Sequence, residues 1–138
     1  MREAIIAGQA AAIGPYSHGT IASSGLVFLS GQTPLDPTTG KLVEGNIAKQ
    51  TAQCLQNLGA VLAQAGMSFD DVLKCNVYLV DIADFAAMNA EYETHFRHPF
   101  PARTTIGVAA LPAYAAVEIE MIAQQRSPRF APVNASVK

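Results

Sequence analysis

The spacing of apolar residues predicts a long amphipathic helix in the middle of the chain. Apolar positions recur every three or four residues from Ile47 to Ala65, so one face of this helix is apolar and is expected to lie on a sheet. Asn46 is a candidate N-cap, because its side chain can accept a hydrogen bond from a backbone N–H of the first turn. Gly66 is a suitable stop signal.

A second helix is predicted to begin at Asp84 and to end near Phe96. Its inner stripe combines apolar side chains with one amide: Phe85, Met88, Asn89, Tyr92 and Phe96. A buried amide without hydrogen-bond partners costs about 1–3 kcal/mol. Asn89 therefore either tethers a neighbouring loop or contacts a ligand, and the pattern leaves both interpretations open.

Alternating apolar and polar residues, bounded by turn residues, predict six strands. They are residues 3–7, 20–23, 26–30, 72–80, 102–109 and 116–123. The fourth strand presents four apolar side chains on one side, and we expect this side to face the core. These side chains are Leu73, Cys75, Val77 and Leu79.

The strand predicted at residues 102–109 carries a charged side chain among apolar ones. Arg103, Thr105 and Gly107 share one side of it, and burial of an arginine is costly unless an anion meets it. The planar guanidinium suits a carboxylate held by two parallel hydrogen bonds. Glu118 and Glu120 share one face of the next strand. Arg103 therefore either pairs with one of these glutamates or binds the carboxylate of a ligand.

Three shorter segments carry weaker signals. Ser30 and Gly31 end a strand with small residues, where the backbone either approaches a ligand or forms a plain bulge. Tyr16 lies among turn residues and is either a packed aromatic or a ligand contact. His95 and His98 stand three residues apart without a third ligand nearby, so we expect no metal site.

The composition favours an oligomer and argues against several partners. Charged residues make up 14% of the 138 residues and apolar residues 50%, whereas typical soluble domains are about 25% charged. We therefore expect further copies of the chain to cover apolar surface. The net charge of -2 gives no attraction to nucleic acid or an anionic membrane, and no apolar run is long enough to span a membrane.

The cysteines and the start of the chain indicate a cytoplasmic protein. Cys54 and Cys75 fall on apolar faces of a predicted helix and strand, so we expect buried, reduced thiols. Residues 1–6 lack the long apolar core of a signal peptide.

Four stretches, taken together and in order, resemble the reactive intermediate deaminase (Rid) family, most closely its RidA branch. They are residues 13–19 (IGPYSHG), residues 30–40 (SGQTPLDPTTG), residues 85–92 (FAAMNAEY), and residues 101–103 (PAR) with residues 117–119 (VEI). The resemblance implies a chorismate-mutase-like α+β fold, with two helices packed on one face of a largely antiparallel sheet. It implies a single domain over residues 1–125, and we expect residues 126–138 to form an extended or disordered tail. It also implies a homotrimer whose sites lie between subunits.

The resemblance further implies hydrolysis of 2-imino acids, or their enamine tautomers, to 2-oxo acids and ammonia without a cofactor. Arg103 is similar to the arginine that clamps the substrate carboxylate. Glu118 is similar to the glutamate that positions a water, and Glu120 has the weaker claim. Five further residues correspond to positions that line the pocket or contact the substrate: Tyr16, Ser30, Gly31, Asn89 and Thr105.

Three other functions remain open from the sequence. The first is a deaminase of larger enamine acids, such as aminoacrylate derivatives or aminomuconate. Thr105 stands where many RidA members have Cys and Gly107 where some have Glu, and changes in pocket size at Thr105, Gly107 and Tyr114 keep this alternative open. The second is an endoribonuclease, for which the chain lacks a basic excess. The third is a non-catalytic, chaperone-like trimer that binds small carboxylates.

Overall fold

The computed structural model describes residues 2–8 and 14–126. Residues 127–138, which hold nearly all of the predicted tail, lie outside the described residues, as does Ile13 of the first family motif. The fold is α+β, with two helices and one six-stranded sheet. Along the chain the elements are β1 (Glu3–Ile5), β2 (Gly19–Ile21), β3 (Leu26–Gln32), α1 (Ile47–Gln64), β4 (Val72–Leu79), α2 (Phe85–Glu93), β5 (Ala102–Gly107) and β6 (Val117–Gln124).

The sheet is mixed, and its strand order is β1-β2-β3-β6-β4-β5. Four of its pairings are antiparallel, and β4 pairs with β5 in parallel. The last two strands along the chain are not neighbours, because β6 lies between β3 and β4 while β5 forms an edge. The strand that carries Arg103 therefore has one backbone edge outside the sheet's hydrogen bonding.

Helix α1 confirms the helix predicted from apolar spacing. The Asn46 side chain accepts a hydrogen bond from the Lys49 backbone N–H over 3.0 Å, and the helix ends at Gln64, just before Gly66 with φ of +70°. Its buried side faces the sheet and consists of Thr51, Cys54, Leu55, Asn57, Leu58, Val61 and Leu62.

Helix α2 is shorter than predicted, and its buried stripe is narrower. Met88 and Tyr92 are buried, whereas Phe85 is 40% exposed and Asn89 is also exposed. Phe96 is buried but follows the end of the helix. The expectation of a buried amide at Asn89 is therefore wrong, because only one narrow side of α2 packs on the core.

One side chain of β4 departs from the predicted alternation. Cys75, Val77 and Leu79 are fully buried as expected, but Leu73 is 52% exposed. The register of β4 against β6 shifts between Val72 and Lys74, which turns the intervening residue away from the core.

The sheet has one covered face and one open face. Both helices and the covered face contribute to a single hydrophobic cluster, which includes both cysteines as reduced, buried thiols. The open face exposes apolar side chains such as Phe28 (46%) and Ile106 (45%). In the part of the chain that the structure describes, no helix is long and apolar enough to cross a membrane.

Candidate active site

Arg103 faces the helix-covered side of the edge strand β5. Its register partner on β4 is the buried Cys75, which sets the direction of the side chain. The guanidinium carbon lies 4.7 Å from the ring centroid of Tyr92 and 5.6 Å from that of Phe85. The partly buried cation of Arg103 is thus held by two aromatic rings of α2.

No carboxylate of the described residues pairs with Arg103. The ion pairs in this part of the chain join Arg97 to Asp70, Arg126 to Asp71 and His95 to Glu91. Because a guanidinium carries five N–H donors, Arg103 can receive both oxygens of an external carboxylate.

A cleft of about 420 Å³ adjoins Arg103. It is lined by Asn89, Tyr92, Glu93, Phe100, Pro101 and Arg103. Aromatic and proline side chains give it an apolar wall, and a few polar groups converge on it, as in binding sites for small molecules. The exposed Asn89 amide is therefore available to a ligand in this cleft, which agrees with the second of its two interpretations.

Two buried hydroxyls lie on the same side of the sheet as Arg103. Within the described ranges, the Thr105 Oγ1 has no hydrogen-bond partner, and the Tyr92 hydroxyl lies beside the Cys75 thiol. Burial raises the pKa of the Cys75 thiol to about 11, although the neighbouring Tyr92 hydroxyl and Arg103 oppose this shift. Burial, with Cys75 beside it, also raises the pKa of Tyr92. The Cys75 thiol and the Tyr92 hydroxyl therefore stay neutral near pH 7, and the positive charge beside them is that of Arg103.

Glu118 lies on the open face of the sheet, beside Gly31. It is paired in register with Tyr78 of β4, whose strand neighbours Val77 and Leu79 point into the core. A Cβ atom at residue 31 would collide with the Glu118 carboxylate, so the carboxylate keeps this position only because residue 31 has no side chain. The register of β3 against β6 shifts between Leu29 and Gln32, which identifies a bulge at this position.

The surroundings of Glu118 favour its neutral form. Partial burial raises the pKa of this carboxyl group, and the nearby Glu120 raises it further. Glu120 itself accepts a hydrogen bond of 2.9 Å from the Asn76 side chain. The pKa of Glu118 is thus raised toward neutral pH, where a general base is most effective.

Ser30 joins the bulge to the segment that carries Tyr16. Its hydroxyl donates a 2.7 Å hydrogen bond to the Ser17 carbonyl, and its backbone N–H donates to the His18 carbonyl over 2.9 Å. Tyr16 is 43% exposed. Ser30 and Gly31 therefore connect the Tyr16 segment to the strand position that faces Glu118.

The predicted site residues thus fall into two groups on opposite faces of one sheet. Arg103, Asn89 and Thr105 form the arginine group on the helix-covered side. The glutamate group consists of Glu118, Gly31, Ser30 and the segment of Tyr16. The alternative ion pair of Arg103 with Glu118 or Glu120 is wrong, because the sheet separates their side chains. One chain alone cannot bring both groups to one small ligand.

The aromatic support of Arg103 was not identified as part of the site from the sequence. The apolar spacing predicts Phe85 and Tyr92 only as members of a core-facing stripe, although their spacing of seven residues puts both on one side of a helix. Glu93 and Phe100, which also line the cleft, carry no distinctive pattern, whereas Pro101 belongs to the stretch at residues 101–103 that resembles the family.

The described residues contain no cluster of three or more histidine, cysteine, aspartate or glutamate side chains that could hold a metal ion. His95 lies 2.8 Å from a Glu91 oxygen, and His98 stacks on Phe100 with ring centroids 4.2 Å apart. Both histidines at the end of α2 thus have side-chain contacts within the described residues.

Comparison with known proteins gives consistent similarities along almost the whole chain. A family profile described as Endoribonuclease L-PSP matches residues 7–125. The 2-iminobutanoate/2-iminopropanoate deaminase of Bos taurus is 45% identical over 115 residues, 83% of this chain and 83% of the bovine protein. RidA from an Antarctic Psychrobacter has a TM-score of 0.84 at 40% identity, covering 89% of this chain and 99% of that one. E. coli TdcF, solved with bound serine, has a TM-score of 0.83 at 35% identity, covering 90% and 99%.

Proposed function

Since this chain belongs to the L-PSP family that includes RidA, we propose that it hydrolyses small 2-imino acids, or their enamine tautomers, to 2-oxo acids and ammonia. The name of the bovine relative supports this reaction, and serine bound to TdcF supports a site for small carboxylates in this family. The observation that carries the proposal is the partly buried Arg103 guanidinium, which adjoins a cleft and has no acidic partner among the described residues.

The active unit in this proposal is a homotrimer with its sites between subunits. Each site takes the arginine group from one copy and the glutamate group from the next. This assembly is supported by the low content of charged residues and by the apolar side chains on the open face of the sheet, where Glu118 also lies.

Arg103 binds the substrate in the first step. Two parallel hydrogen bonds from its guanidinium hold the carboxylate and fix the orientation of the adjacent C=N carbon. Asn89, which lines the cleft, contacts the remainder of the substrate in this proposal, together with Thr105, which lies two residues further along the same side of β5. The apolar wall of the cleft excludes bulk water from the imine.

Glu118 of the neighbouring copy activates water in the second step. Its carboxylate accepts a proton as the water oxygen forms a bond to the iminium carbon, which gives a tetrahedral carbinolamine. Glu118 then returns the proton to the nitrogen. The C–N bond breaks and ammonia leaves as Glu118 accepts the remaining hydroxyl proton, so the oxygen that came from water becomes the carbonyl of the 2-oxo acid. Glu118 then passes this proton to ammonia, which departs as ammonium.

The direct test generates 2-imino acids in situ from several amino acids and follows the release of 2-oxo acid and ammonia. The proposal predicts faster release with the protein than with buffer alone, and a ranking of substrates by side chain. Carboxylate binding without accelerated release would instead indicate a non-catalytic binder. A preference for large side chains would indicate the deaminase of larger enamine acids.

An endoribonuclease is the second candidate, because the matching family profile carries that description. Such an enzyme needs a basic surface to hold the phosphate backbone, and the net charge of this chain is -2. RNA cleavage that survives repurification and disappears in Arg103→Ala would favour this candidate. Cleavage that is lost on repurification would exclude it.

A further inference from the structure

Arg103 is stabilised differently from the two ion-paired arginines of the described residues. Arg97 and Arg126 have side chains that are 80% and 67% exposed, and each pairs with an aspartate. Arg103 is more buried, yet its contacts are the rings of Phe85 and Tyr92. An aromatic face attracts the cation without occupying its N–H donors, whereas a carboxylate would occupy them.

Tyr92 is itself fixed by the core. Its side chain is 5% exposed, and its ring stacks on Phe96 with centroids 4.6 Å apart. Phe96 in turn packs on Phe69 at 5.2 Å. The Tyr92 hydroxyl lies beside the thiol of Cys75, which is the register partner of Arg103 on β4. A rigid ring therefore lies under the guanidinium.

We propose that Tyr92, with Phe85 as a second ring, is a positioning residue that holds the Arg103 guanidinium in the orientation that receives a carboxylate. The identity of this carboxylate as that of a 2-imino acid rests on the proposed function. The rings take the place of an acidic partner, which would compete with the substrate for the same N–H donors. Tyr92 does not touch the reacting atoms and acts through Arg103.

The position of the guanidinium can be measured without any ligand. In NMR spectra of labelled protein, the Arg103 Nε–H signal is identified by its loss in Arg103→Ala. We expect the chemical shift of this signal to show a ring-current contribution in the wild type. This contribution should remain in Tyr92→Phe and disappear in Tyr92→Leu. An unchanged Arg103 signal in Tyr92→Leu would overturn the proposal.

A double-mutant cycle then tests whether Tyr92 acts through Arg103. The measurement is the Kd for 2-oxobutanoate, a product-type ligand that requires no turnover. We expect Tyr92→Leu to weaken binding about three- to thirtyfold, the range of a partly desolvated cation–π contact. Tyr92→Phe should stay near the wild-type value, and Tyr92→Leu should have no added effect in the Arg103→Ala background. An equal loss in both backgrounds would contradict a role through Arg103.

Two further variants separate positioning from general packing. Leu62→Val shortens a buried side chain of α1 that is not part of the site, so it should lower Tm without changing the Kd. Phe85→Leu should weaken binding less than Tyr92→Leu, because this ring is further from the guanidinium. A loss of affinity in Leu62→Val as large as in Tyr92→Leu would show a packing effect.

The outcomes for the proposed function and for the positioning role are distinguishable. If imines are not hydrolysed but the Nε–H signal responds to Tyr92 as expected, the deaminase proposal fails and the positioning role stands. If imines are hydrolysed and Tyr92→Leu changes neither the signal nor the Kd, the positioning role fails and the deaminase proposal stands.

Discussion

Arg103 and Glu118 have different kinds of neighbours, and these neighbours determine what each side chain can do. Arg103 is held by aromatic rings, so the described residues leave it without a carboxylate partner. Glu118 is partly buried next to a second carboxyl group, which raises its pKa. The first arrangement suits binding of an anion, and the second suits proton transfer near neutral pH.

Removal of the guanidinium should abolish most activity while leaving the fold intact. We expect Arg103→Ala to lower kcat/KM at least about a hundredfold, or ~3 kcal/mol, because a charge-assisted double hydrogen bond is lost. Arg103→Lys should recover only part of the loss, since an ammonium cannot form the planar fork. Steady-state kinetics with imines generated in situ measure both. Near-normal turnover by a well-folded Arg103→Ala would contradict the assigned role.

The pH dependence of the rate should report Glu118. A general base works only when deprotonated, so kcat/KM should fall as pH decreases through the raised pKa of this carboxyl group. Glu118→Gln should retain 2-oxobutanoate binding, lose rate and lose this acidic limb, because an amide does not titrate. A profile of kcat/KM against pH for both proteins provides the measurement. The same acidic limb in Glu118→Gln would assign proton transfer to another group.

Strand alternation could predict which residues share a face within one strand. It could not predict whether side chains of two different strands lie on the same side of the sheet. Arg103 and Glu118 were each assigned to the correct alternation within β5 and β6. Their opposite directions depend on β4, which lies between the two strands and pairs with both. Pairing between strands that are distant in the sequence leaves no local pattern. The ion pair of Arg103 with Glu118 could therefore be excluded only from the fold.

At the level of elements, local signals predicted α1 and the strands well and α2 less well. The Asn46 cap and the apolar repeat of α1 are properties of neighbouring residues, and the structure contains both. The end of α2 and the exposure of Asn89 depend instead on how much of the helix the sheet covers. The same holds for Leu73, whose exposure follows from a register shift against β6.

The bulge in β3 places Gly31 directly beside the Glu118 carboxylate. We expect Gly31→Ala to reduce the rate with little loss of stability, because a Cβ there displaces the Glu118 carboxylate, which is the far end of a flexible side chain. Gly107→Ala is the matched control for stability, since its Cβ would meet no atom closer than 3.8 Å. Urea unfolding and kinetics of both variants test this expectation. An unchanged rate in Gly31→Ala would count against the close contact.

At the scale of the whole molecule, the sheet separates the two groups of residues that the proposed reaction needs together. The low content of charged residues predicts that other copies cover apolar surface, and this stays a prediction. It could not predict which face is open, and the structure assigns that face to the side that carries Phe28, Ile106 and Glu118. An assembly through this face would bring the glutamate group of one copy to the arginine group of another.

Complementation between two inactive variants tests this arrangement most directly. Arg103→Ala and Glu118→Gln are unfolded together, mixed in equal amounts and refolded, with each variant refolded alone and the double variant as controls. Random assembly into trimers with sites between copies predicts about a quarter of the wild-type rate in the mixture, because each mixed trimer regains one intact site. Mixed trimers that show no more activity than the separate variants would contradict a site shared between copies.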